Sequence, residues 1–299
     1  MSRNYCISII NPQGFGHARA FQEMALTLYH AFKGLGCSVK IDENSILDGG
    51  TTIILGAFLL SPAQSRSLPK SCIVYNLEPL DRDSHTLGQH TYEMMGRLTT
   101  WDYSLRNIAR LEKLFPGGDF RHAPVGYMPQ LTCIPKSSDL DIDVLFYGSV
   151  NPRRASILNA LKQAGLKVAS VFGVYGQDRD NLISRSKVVL NMHFYSASIL
   201  EMVRVSYLLA NKKAVVAECN PQTEIEPDIR QAVAAVPYEQ LVQTCQMLVK
   251  DNTRRSELEQ NGFEIMSARD EQEILRGLVE DIQNDQEKRQ GLSFKLGKN

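Results

Sequence analysis

The sequence predicts an α/β fold made of two doubly wound domains that face a central cleft, with a helical C-terminal tail. Short apolar runs typical of strands alternate with segments of helical periodicity, which is the pattern of a mostly parallel sheet covered by helices on both faces. The alternation lapses once, over residues 126–141, where two prolines and two adjacent serines indicate a linker, and then restarts. A chain of 299 residues is long enough for two ordinary domains.

The first half of the chain supplies the elements of the first domain. An apolar strand over residues 5–10 is followed by a loop and by a helix in which apolar residues recur at helical spacing from Phe21 to Leu35. Further strands are predicted at the runs CSVKID, TTIILGAF and CIVYNLE, and the run WDYS leads into another helix. We therefore place an N-terminal domain at residues 1–128.

The second half repeats the alternation. Strands are predicted at DVLFYG, KVASVFG, VVLNMH and AVVAE, and helices at NPRRASILNALKQAG, DRDNLISRS and YEQLVQTCQMLVK. Pro152 stands near the first turn of the first of these helices, where proline is favoured. We place a C-terminal domain at residues 140–262, followed by a helical tail at 263–299 that packs back on the N-terminal domain.

Composition argues against several classes of protein. Lys + Arg and Asp + Glu balance at 33 each, so no global positive field favours a nucleic-acid partner. No apolar run reaches the roughly 18 residues of a membrane span, and the N-terminus lacks the regions of a secretory signal. The six cysteines are scattered without a CxxC pair, which favours free thiols in a reducing cytoplasm over a disulfide framework or a zinc site. We expect a cytoplasmic protein without a bound metal.

The loop after the first strand, NPQGFGHARA, carries three candidate residues. Ligands of open α/β sheets bind beyond the carboxyl ends of the strands, so a site is expected in such loops. Gly14 and Gly16 let the backbone approach a ligand, and His17 stands at the entrance of the next helix. A neutral imidazole there could take a proton from an acceptor hydroxyl, because histidine titrates near neutral pH. The alternative is a plain loop with a capping or solvated histidine.

Two strand ends in the second half suggest contacts to a phosphate and to a nucleobase. In FYGSVNPRRAS, Gly148 provides a turn, and Arg153 and Arg154 fall in the first turn of a helix, where cations oppose the helix dipole. A bound anion would remove that conflict, and guanidinium groups suit bidentate phosphate contacts; the alternative is two solvated arginines. The glycine-rich turn after KVASVFG carries Tyr175, where a nucleobase could lie against an aromatic ring.

The stretch LNMHFYSASILEMVRVSYLLAN places charged groups in an otherwise apolar segment. His193 lies at the carboxyl edge of the predicted sheet, and Ser198, Glu201 and Arg204 follow at intervals of three along one face of a predicted helix. A helix this apolar should be buried, and a buried carboxylate needs partners. Either Arg204 alone pairs with Glu201, or Glu201 accepts hydrogen bonds from a ribose while Arg204 holds the carboxylate or reaches a phosphate.

These segments, in this order and spacing, resemble glycosyltransferases of the GT-B fold. The spacing H-x7-E from His193 to Glu201, with Ser198 and Leu200 between, resembles the sugar-nucleotide signature of UDP-dependent enzymes. The loop and helix QGFGHARAFQEMALTLYHAFKGLG resemble their N-terminal histidine loop. Over most of residues 5–220 the chain resembles a bacterial family of group 1-like glycosyltransferases, related to spore-coat-type enzymes, through the runs YNLE, WDYS, DIDVLFYGSVNPRR, LNMHFY and ILEMVRVSYLLANKKAVVAE.

The resemblance implies two Rossmann-like domains and transfer of a hexose from a UDP- or GDP-sugar to a hydroxyl acceptor. The acceptor is a glycan, a lipid-linked molecule, a protein or a small molecule, and neither a metal nor a cofactor beyond the nucleotide sugar is implied. By position, the implied roles are ribose binding for Glu201, proximity to the diphosphate or sugar for His193, phosphate binding for Gly148 with Arg153 or Arg154, and an acceptor-facing base at His17.

Several positions depart from the pattern of these families and leave alternatives open. Phe194, Tyr195 and Ser196 stand where the plant-type signature has Trp and Gly, and Glu218 is the nearest counterpart of its sugar-reading acidic residue; in the retaining EAxAxG motif, Ser206 replaces the glutamate and Asn211 the glycine. The donor sugar and stereochemistry therefore stay open.

The identity of the base and the class of activity also have alternatives. Glu78 and Asp102, near strand ends of the first domain, compete with His17 as the base. Other functions compatible with the fold are a sugar-nucleotide epimerase or hydrolase and a non-catalytic nucleotide-binding domain.

Overall fold

The computed structural model describes residues 4–80, 87–194 and 199–280. Its strands are β1 Asn4–Ile9, β2 Ser38–Glu43, β3 Thr51–Leu55, β4 Cys72–Asn76, β5 Thr99–Asp102, β6 Phe120–His122, β7 Ile142–Tyr147, β8 Val168–Val171, β9 Ser186–Asn191, β10 Ala214–Glu218 and β11 Ala234–Val236. Its α-helices are α1 Gln22–Gly34, α2 Pro62–Ser67, α3 Gln89–Arg97, α4 Leu105–Leu114, α5 Pro152–Gln163, α6 Gly176–Ser184, α7 Met202–Ala210, α8 Pro227–Ala232, α9 Leu241–Lys250 and α10 Asn252–Ser267. Four short 3₁₀ helices lie at Ala18–Phe21, Ala57–Leu59, Pro129–Leu131 and Tyr238–Gln240, and residues 271–280 are helical.

The strands form two sheets, and all of their pairings are parallel. The first sheet has the order β2-β1-β3-β4-β5-β6 and the second the order β11-β10-β9-β7-β8. In each sheet the order reverses once, between β1 and β3 in the first and between β7 and β9 in the second. The predicted doubly wound α/β architecture is thus confirmed, and loops at the carboxyl ends of the strands are the expected ligand-binding edge.

Each sheet is buried on both faces, which explains the continuous apolar runs in the sequence. In β3, Ile53 packs in the cluster that contains α1, whereas Ile54 packs on the opposite face in the cluster that contains residues of α3 and α4. In β9, Val189 and Leu190 divide in the same way, and Leu190 joins the cluster that contains α5 and α9. Adjacent strand residues point to opposite faces, so an apolar residue at every position is satisfied only when helices cover both sides.

The chain returns to the first half after α10. The Tyr127 N–H donates to the Arg269 carbonyl at 2.6 Å, and the Glu271 N–H donates to the Tyr127 carbonyl at 3.1 Å. Leu275 and Leu278 then join the core cluster that includes α1. Residues 269–280 therefore lie against the N-terminal half, whereas the domain limits and the rest of the tail stay a prediction. Within the described residues, no helix is both long and apolar enough to cross a bilayer.

We predict that the free energy of unfolding falls between about pH 4.5 and 8 because of Glu271. Burial raises the pKa of this carboxyl to about 8, although a hydrogen bond from the Gly126 N–H lowers it. The folded state then binds one proton more than the unfolded chain across that window, so stability is lost as pH rises. Glu271→Gln should remove this contribution, which is about 3–4 kcal/mol between pH 5 and pH 8, in denaturant titrations at these two pH values.

The matched control is Glu273→Gln on the same helical segment, because the Glu273 side chain is 63% exposed. It should leave the pH dependence of unfolding unchanged. Equal slopes for wild type and Glu271→Gln would contradict the assignment of the buried, protonated carboxyl.

Candidate active site

A cleft of about 550 Å³ lies between the two sheets, a volume typical of small-ligand sites. Its walls are residues that follow β1, β4 and β5 of the first sheet and β7, β8 and β9 of the second. The polar and aromatic side chains along it are His17, Phe21, Glu23, Glu78, Tyr103, Tyr147, Ser149, Arg154, Phe172, Tyr175, Arg179, His193, Phe194, Glu201, Arg204 and Tyr207.

The cleft brings together eight of the residues that the sequence predicts, and their roles stay predictions. These are His17, Glu78, Gly148, Arg154, Tyr175, His193, Glu201 and Arg204. The predicted residues that do not line it are Gly14, Gly16, Asp102, Arg153 and Leu200. Ser198 lies outside the described residues.

Gly148 leaves room for two guanidinium groups at the end of β7. Its φ of +144° lies in the region that favours glycine, and a Cβ there would lie 3.4 Å from Arg204 Nη2 and 3.7 Å from Arg154 Nη1. Asn151 caps α5 by accepting a hydrogen bond from the Arg154 N–H at 2.9 Å. The turn therefore aims both arginines at one point of the cleft wall.

Arg154 is nearly buried and is surrounded by backbone carbonyls. Its side chain is 3% exposed, and its guanidinium donates to the carbonyls of Ser149 at 2.9 Å, His193 at 3.3 Å and Met192. These bonds satisfy donors whose burial would otherwise be costly. They also join the turn after β7 to the end of β9, so Arg154 fixes the shape of the cleft wall.

Glu201 lies between the two arginines. Its Oε1 is 3.2 Å from Arg154 Nη2 and its Oε2 is 2.6 Å from Arg204 Nη1, and its side chain is 32% exposed. Arg204 also donates to Asn191 Oδ1 at 3.0 Å and lies 5.0 Å from the Tyr147 ring centroid. Two cations and one anion leave this wall with a net positive charge, which favours an anionic ligand.

The prediction that Glu201 lies within a buried helix is wrong. The helix α7 begins at Met202, and Glu201 is its N-cap residue. Ile199 forms a parallel bridge with Glu224, and the Leu200 N–H donates to the Glu224 carbonyl at 3.1 Å. Because the backbone of Ile199 and Leu200 is extended and bonds to Glu224, it cannot form the first turn of a helix. The helix therefore begins after Glu201, and the Glu201 carboxylate lies partly in solvent.

Arg153 is committed to an ion pair outside the cleft. Its Nη1 donates to Glu218 Oε2 at 2.7 Å, and its guanidinium lies 3.9 Å from the ring centroid of Tyr238. Glu218 is 2% exposed, so Arg153 supplies the charge that this buried carboxylate needs. Of the two adjacent arginines at the start of α5, only Arg154 lines the cleft.

His193 presents an unsatisfied ring nitrogen to the cleft. It is 3% exposed, and its backbone N–H donates to Glu218 Oε2 at 3.1 Å. Burial lowers the pKa of its imidazole despite the carboxylates of Glu218 and Glu201, so the ring is neutral at physiological pH. Its Nε2 is buried and has no hydrogen-bond partner in the described part of the chain. Such groups are rare in folded proteins, so this nitrogen is available to a ligand.

Asp102 has a structural environment. Its carboxylate accepts hydrogen bonds from Asn76 Nδ2 at 2.7 Å, Asn107 Nδ2 at 3.0 Å and the Ser104 N–H at 2.8 Å, and it is fully buried. Burial raises its pKa to about 7, against the lowering effect of these bonds. The three donors join the ends of β4 and β5 to the start of α4, and none of the cleft surface belongs to Asp102.

Glu78 and His17 are the two candidate bases of the first half that line the cleft. Burial raises the pKa of Glu78 to about 7, and the nearby Glu201 carboxylate adds to the rise. His17 Nδ1 lies 2.7 Å from the hydroxyl oxygen of Tyr175, so the predicted base of one half contacts the predicted nucleobase residue of the other. Its raised pKa lets Glu78 exchange a proton near neutral pH.

Solved structures with this architecture are glycosyltransferases. HepE from Anabaena, solved with UDP and glucose, has a TM-score of 0.62 at 12% identity, covering 94% of this chain and 100% of that chain. AviGT4, involved in avilamycin A biosynthesis, has 0.57 at 14% identity, over 93% and 96%. WaaG, involved in lipopolysaccharide biosynthesis, has 0.57 at 11% identity, over 93% and 99%. The chain has the GT-B fold.

Sequence comparisons reach less of the chain. No family model matches. Two proteins of Acanthamoeba polyphaga mimivirus match: "Uncharacterized protein L140" at 29% identity over 49% of this chain and 49% of that protein, and "Uncharacterized protein R358" at 26% identity over 53% and 55%. The chain thus spans about half the length of these curated relatives. Because they are viral, the bacterial origin expected from the sequence stays a prediction.

Two departures from the glycosyltransferase motifs have a structural explanation in this GT-B chain. Asn211 Oδ1 accepts hydrogen bonds from the N–H groups of Cys133 at 2.9 Å and Ile134 at 2.8 Å, so the side chain that replaces a glycine fastens the linker to the end of α7. Ser206 donates to the Val203 carbonyl at 3.2 Å and does not line the cleft. The position of the missing glutamate therefore contributes no carboxylate there.

A second contact between the halves joins Arg179 to Glu23, and it was not predicted from the sequence. Arg179 Nη2 donates to Glu23 Oε1 at 2.8 Å and lies over the ring of Tyr207 at 4.5 Å from its centroid. Glu23 is six residues after His17, and Arg179 is four residues after Tyr175, so each lies in the first turn of the helix that follows a strand-end loop. That placement is the signal that could have indicated them. Among the described residues, no group of three or more His, Cys, Asp or Glu is arranged to hold a metal ion.

We predict that Asp102→Asn destabilises the fold without removing the activity. All of the contacts to this carboxylate come from N–H donors, and an amide would bring a further donor into a buried place that needs acceptors. The expected loss is about 1–3 kcal/mol of unfolding free energy, measured by urea titration. The control is Asp48→Asn at an exposed position, which should unfold like wild type.

Turnover of the folded Asp102→Asn protein, measured well below its melting temperature, should stay close to wild type. A loss of kcat of a hundredfold or more without a change in stability would instead identify Asp102 as a base, since general-base removal costs about 10²–10⁴-fold.

Proposed function

We propose that this protein is a glycosyltransferase that transfers a hexose from a nucleotide diphosphate sugar to a hydroxyl acceptor. The observation that carries the proposal is the partly exposed Glu201 carboxylate between Arg154 and Arg204 at the cleft wall. A carboxylate can accept hydrogen bonds from both hydroxyls of a ribose, and guanidinium groups bind phosphate oxygens. Together these groups suit the ribose and diphosphate of the donor.

A UDP-sugar is the donor that the structural neighbours favour. HepE is solved with UDP and with UDP-glucose, and it shares the fold over almost the whole chain. The family-level resemblance to group 1-like, spore-coat-type enzymes agrees with the same donor class. We further propose that residues 1–128 hold the acceptor and residues 140–262 hold the donor. The boundary lies between His122, where the six-stranded sheet ends, and Ile142, where the second sheet begins.

The chemistry that these side chains support is displacement of the diphosphate by the acceptor oxygen. His17 takes the proton of the acceptor hydroxyl, the acceptor oxygen bonds to the anomeric carbon, and the bond from that carbon to the diphosphate breaks with its electron pair. Arg154 and Arg204 stabilise the charge that develops on the leaving group. The unpaired Nε2 of His193 forms a hydrogen bond with the sugar or the diphosphate. Glu78 is the second candidate base, because it lines the cleft and its pKa is raised to about 7.

We predict that Glu201→Ala weakens nucleotide binding by at least about tenfold while the protein stays folded. The variant loses the ribose acceptor and leaves the two arginines repelling each other. Binding of UDP, UDP-sugars and GDP is measured by calorimetry and by thermal shift.

The matched control for this variant is Glu273→Ala, because Glu273 forms the same i,i+3 pair with Arg276 at an exposed place outside the cleft. It should bind nucleotide like wild type. Unchanged nucleotide affinity in a folded Glu201→Ala protein would sink the donor-site assignment.

We predict that His17→Ala lowers kcat by about 10²–10⁴-fold with a small change in donor KM, because it removes the base and leaves the donor site intact. The assay is mass spectrometry of products with panels of UDP-sugars and hydroxyl acceptors. Glu78→Gln is the comparison: a loss confined to Glu78→Gln assigns the base there instead.

The same assay separates the alternative functions. Turnover of the donor at equal rates with and without acceptor would indicate a hydrolase or epimerase. Nucleotide binding with no turnover for any pair in the panel would indicate a binding domain.

A further inference from the structure

The ring of His17 is held mainly by the opposite half of the molecule. Its Nδ1 lies 2.7 Å from the Tyr175 hydroxyl oxygen, and its ring centroid is 4.8 Å from that of Phe172. A Cβ built on Gly173 would lie 3.9 Å from its Cε1. These residues form the turn between β8 and α6, whereas from its own loop Phe15 contributes an edge-on ring at 5.5 Å.

A buried ion pair fixes the same two segments to each other. Arg179, in the first turns of α6, is 5% exposed and pairs with Glu23, in the first turn of α1, at 2.8 Å. Arg179 also donates to Asp180 at 2.8 Å, and Asp180 accepts a bond from the Tyr207 hydroxyl at 2.9 Å. With both charges satisfied, the pair keeps the turn before α6 against the loop before α1.

We propose that Tyr175 is a positioning residue for His17. A phenol hydroxyl can donate to a ring nitrogen or accept from it, and only the tautomer in which the Nδ1–H donates to the Tyr175 oxygen leaves Nε2 free to take the acceptor proton. We assign this tautomer to His17. The partner of one ring nitrogen decides the chemistry of the other. The proposal rests on the proposed function, and it changes the role expected for Tyr175 from a nucleobase contact to a contact with the base.

Tyr175 neither gains nor loses a proton in the transfer step. The acceptor proton moves to Nε2, the imidazole becomes a cation with both nitrogens protonated, and the Nδ1–H bond to the phenol oxygen becomes charge-assisted. The phenol keeps its own proton, because burial raises the pKa of Tyr175. Since Tyr175 belongs to the donor half and His17 to the acceptor half, the base is oriented only when the two halves meet.

The first test is the tautomer of His17, which needs no substrate. Nitrogen NMR of the ¹⁵N-histidine-labelled full chain, with the His17 signal assigned by its loss in His17→Gln, distinguishes a protonated Nδ1 from a protonated Nε2. We expect the Nδ1–H form in wild type and a mixture of both forms in Tyr175→Phe. The control is Tyr127→Phe, which removes a phenol bond to Thr132 at 2.8 Å outside the cleft and should leave the His17 signal unchanged.

The second test is a double-mutant cycle on turnover. Tyr175→Phe should lower kcat by about tenfold with donor KM within about twofold, and in the His17→Ala background it should have no further effect. Losses that multiply in the double variant would overturn the proposal, as would a His17 tautomer that Tyr175→Phe does not alter. A raised donor KM at unchanged kcat would overturn the proposal and indicate that Tyr175 contacts the nucleobase of the donor. If no acceptor is ever glycosylated, the proposed function fails while the NMR result still decides the contact.

Discussion

Parallel pairing of every described strand is the constraint from which the rest of the structure follows. Because all strands of a sheet run in one direction, the loops at their carboxyl ends share one edge. The two sheets turn these edges toward each other, so residues far apart in sequence line one cleft. Gly148, Arg154 and His193 meet there because β7 and β9 are neighbours at the place where the strand order of the second sheet reverses.

The cost of placing charges in this cleft determines how they are arranged. Arg154 is almost buried, and its guanidinium donates hydrogen bonds to carbonyls at the ends of β7 and β9. It therefore holds these two strand ends together and also lines the cleft. Arg204 is more exposed and is held by Asn191 and by Glu201. Glu201 thus compensates two cations incompletely, and an anionic ligand would complete the charge balance. This is why an ion pair that looks structural in the sequence also suits a diphosphate.

The sequence predicts the fold well because its signals are local. The apolar run DVLFYG, for example, lies on a strand buried on both faces, and Ser149 and Arg154 of the cleft follow it. The predictions are wrong where contacts between distant residues determine the local structure. Nothing near Ile199 indicates that its backbone pairs with Glu224, which delays the start of α7. Similarly, only the position of Glu218 across the sheet shows that Arg153 is occupied.

Contacts between the halves could not be read from either half alone, and they carry the largest consequence for mechanism. The loop before α1 and the turn before α6 each contribute one member of the His17–Tyr175 contact and one member of the Glu23–Arg179 pair. A nucleotide sugar is at risk of reacting with water whenever a competent base stands beside an open donor site. In the proposed mechanism, the base and its positioning group belong to different halves, so proton removal depends on contact between the halves. The cleft would then activate an acceptor hydroxyl under the same conditions in which its walls exclude solvent.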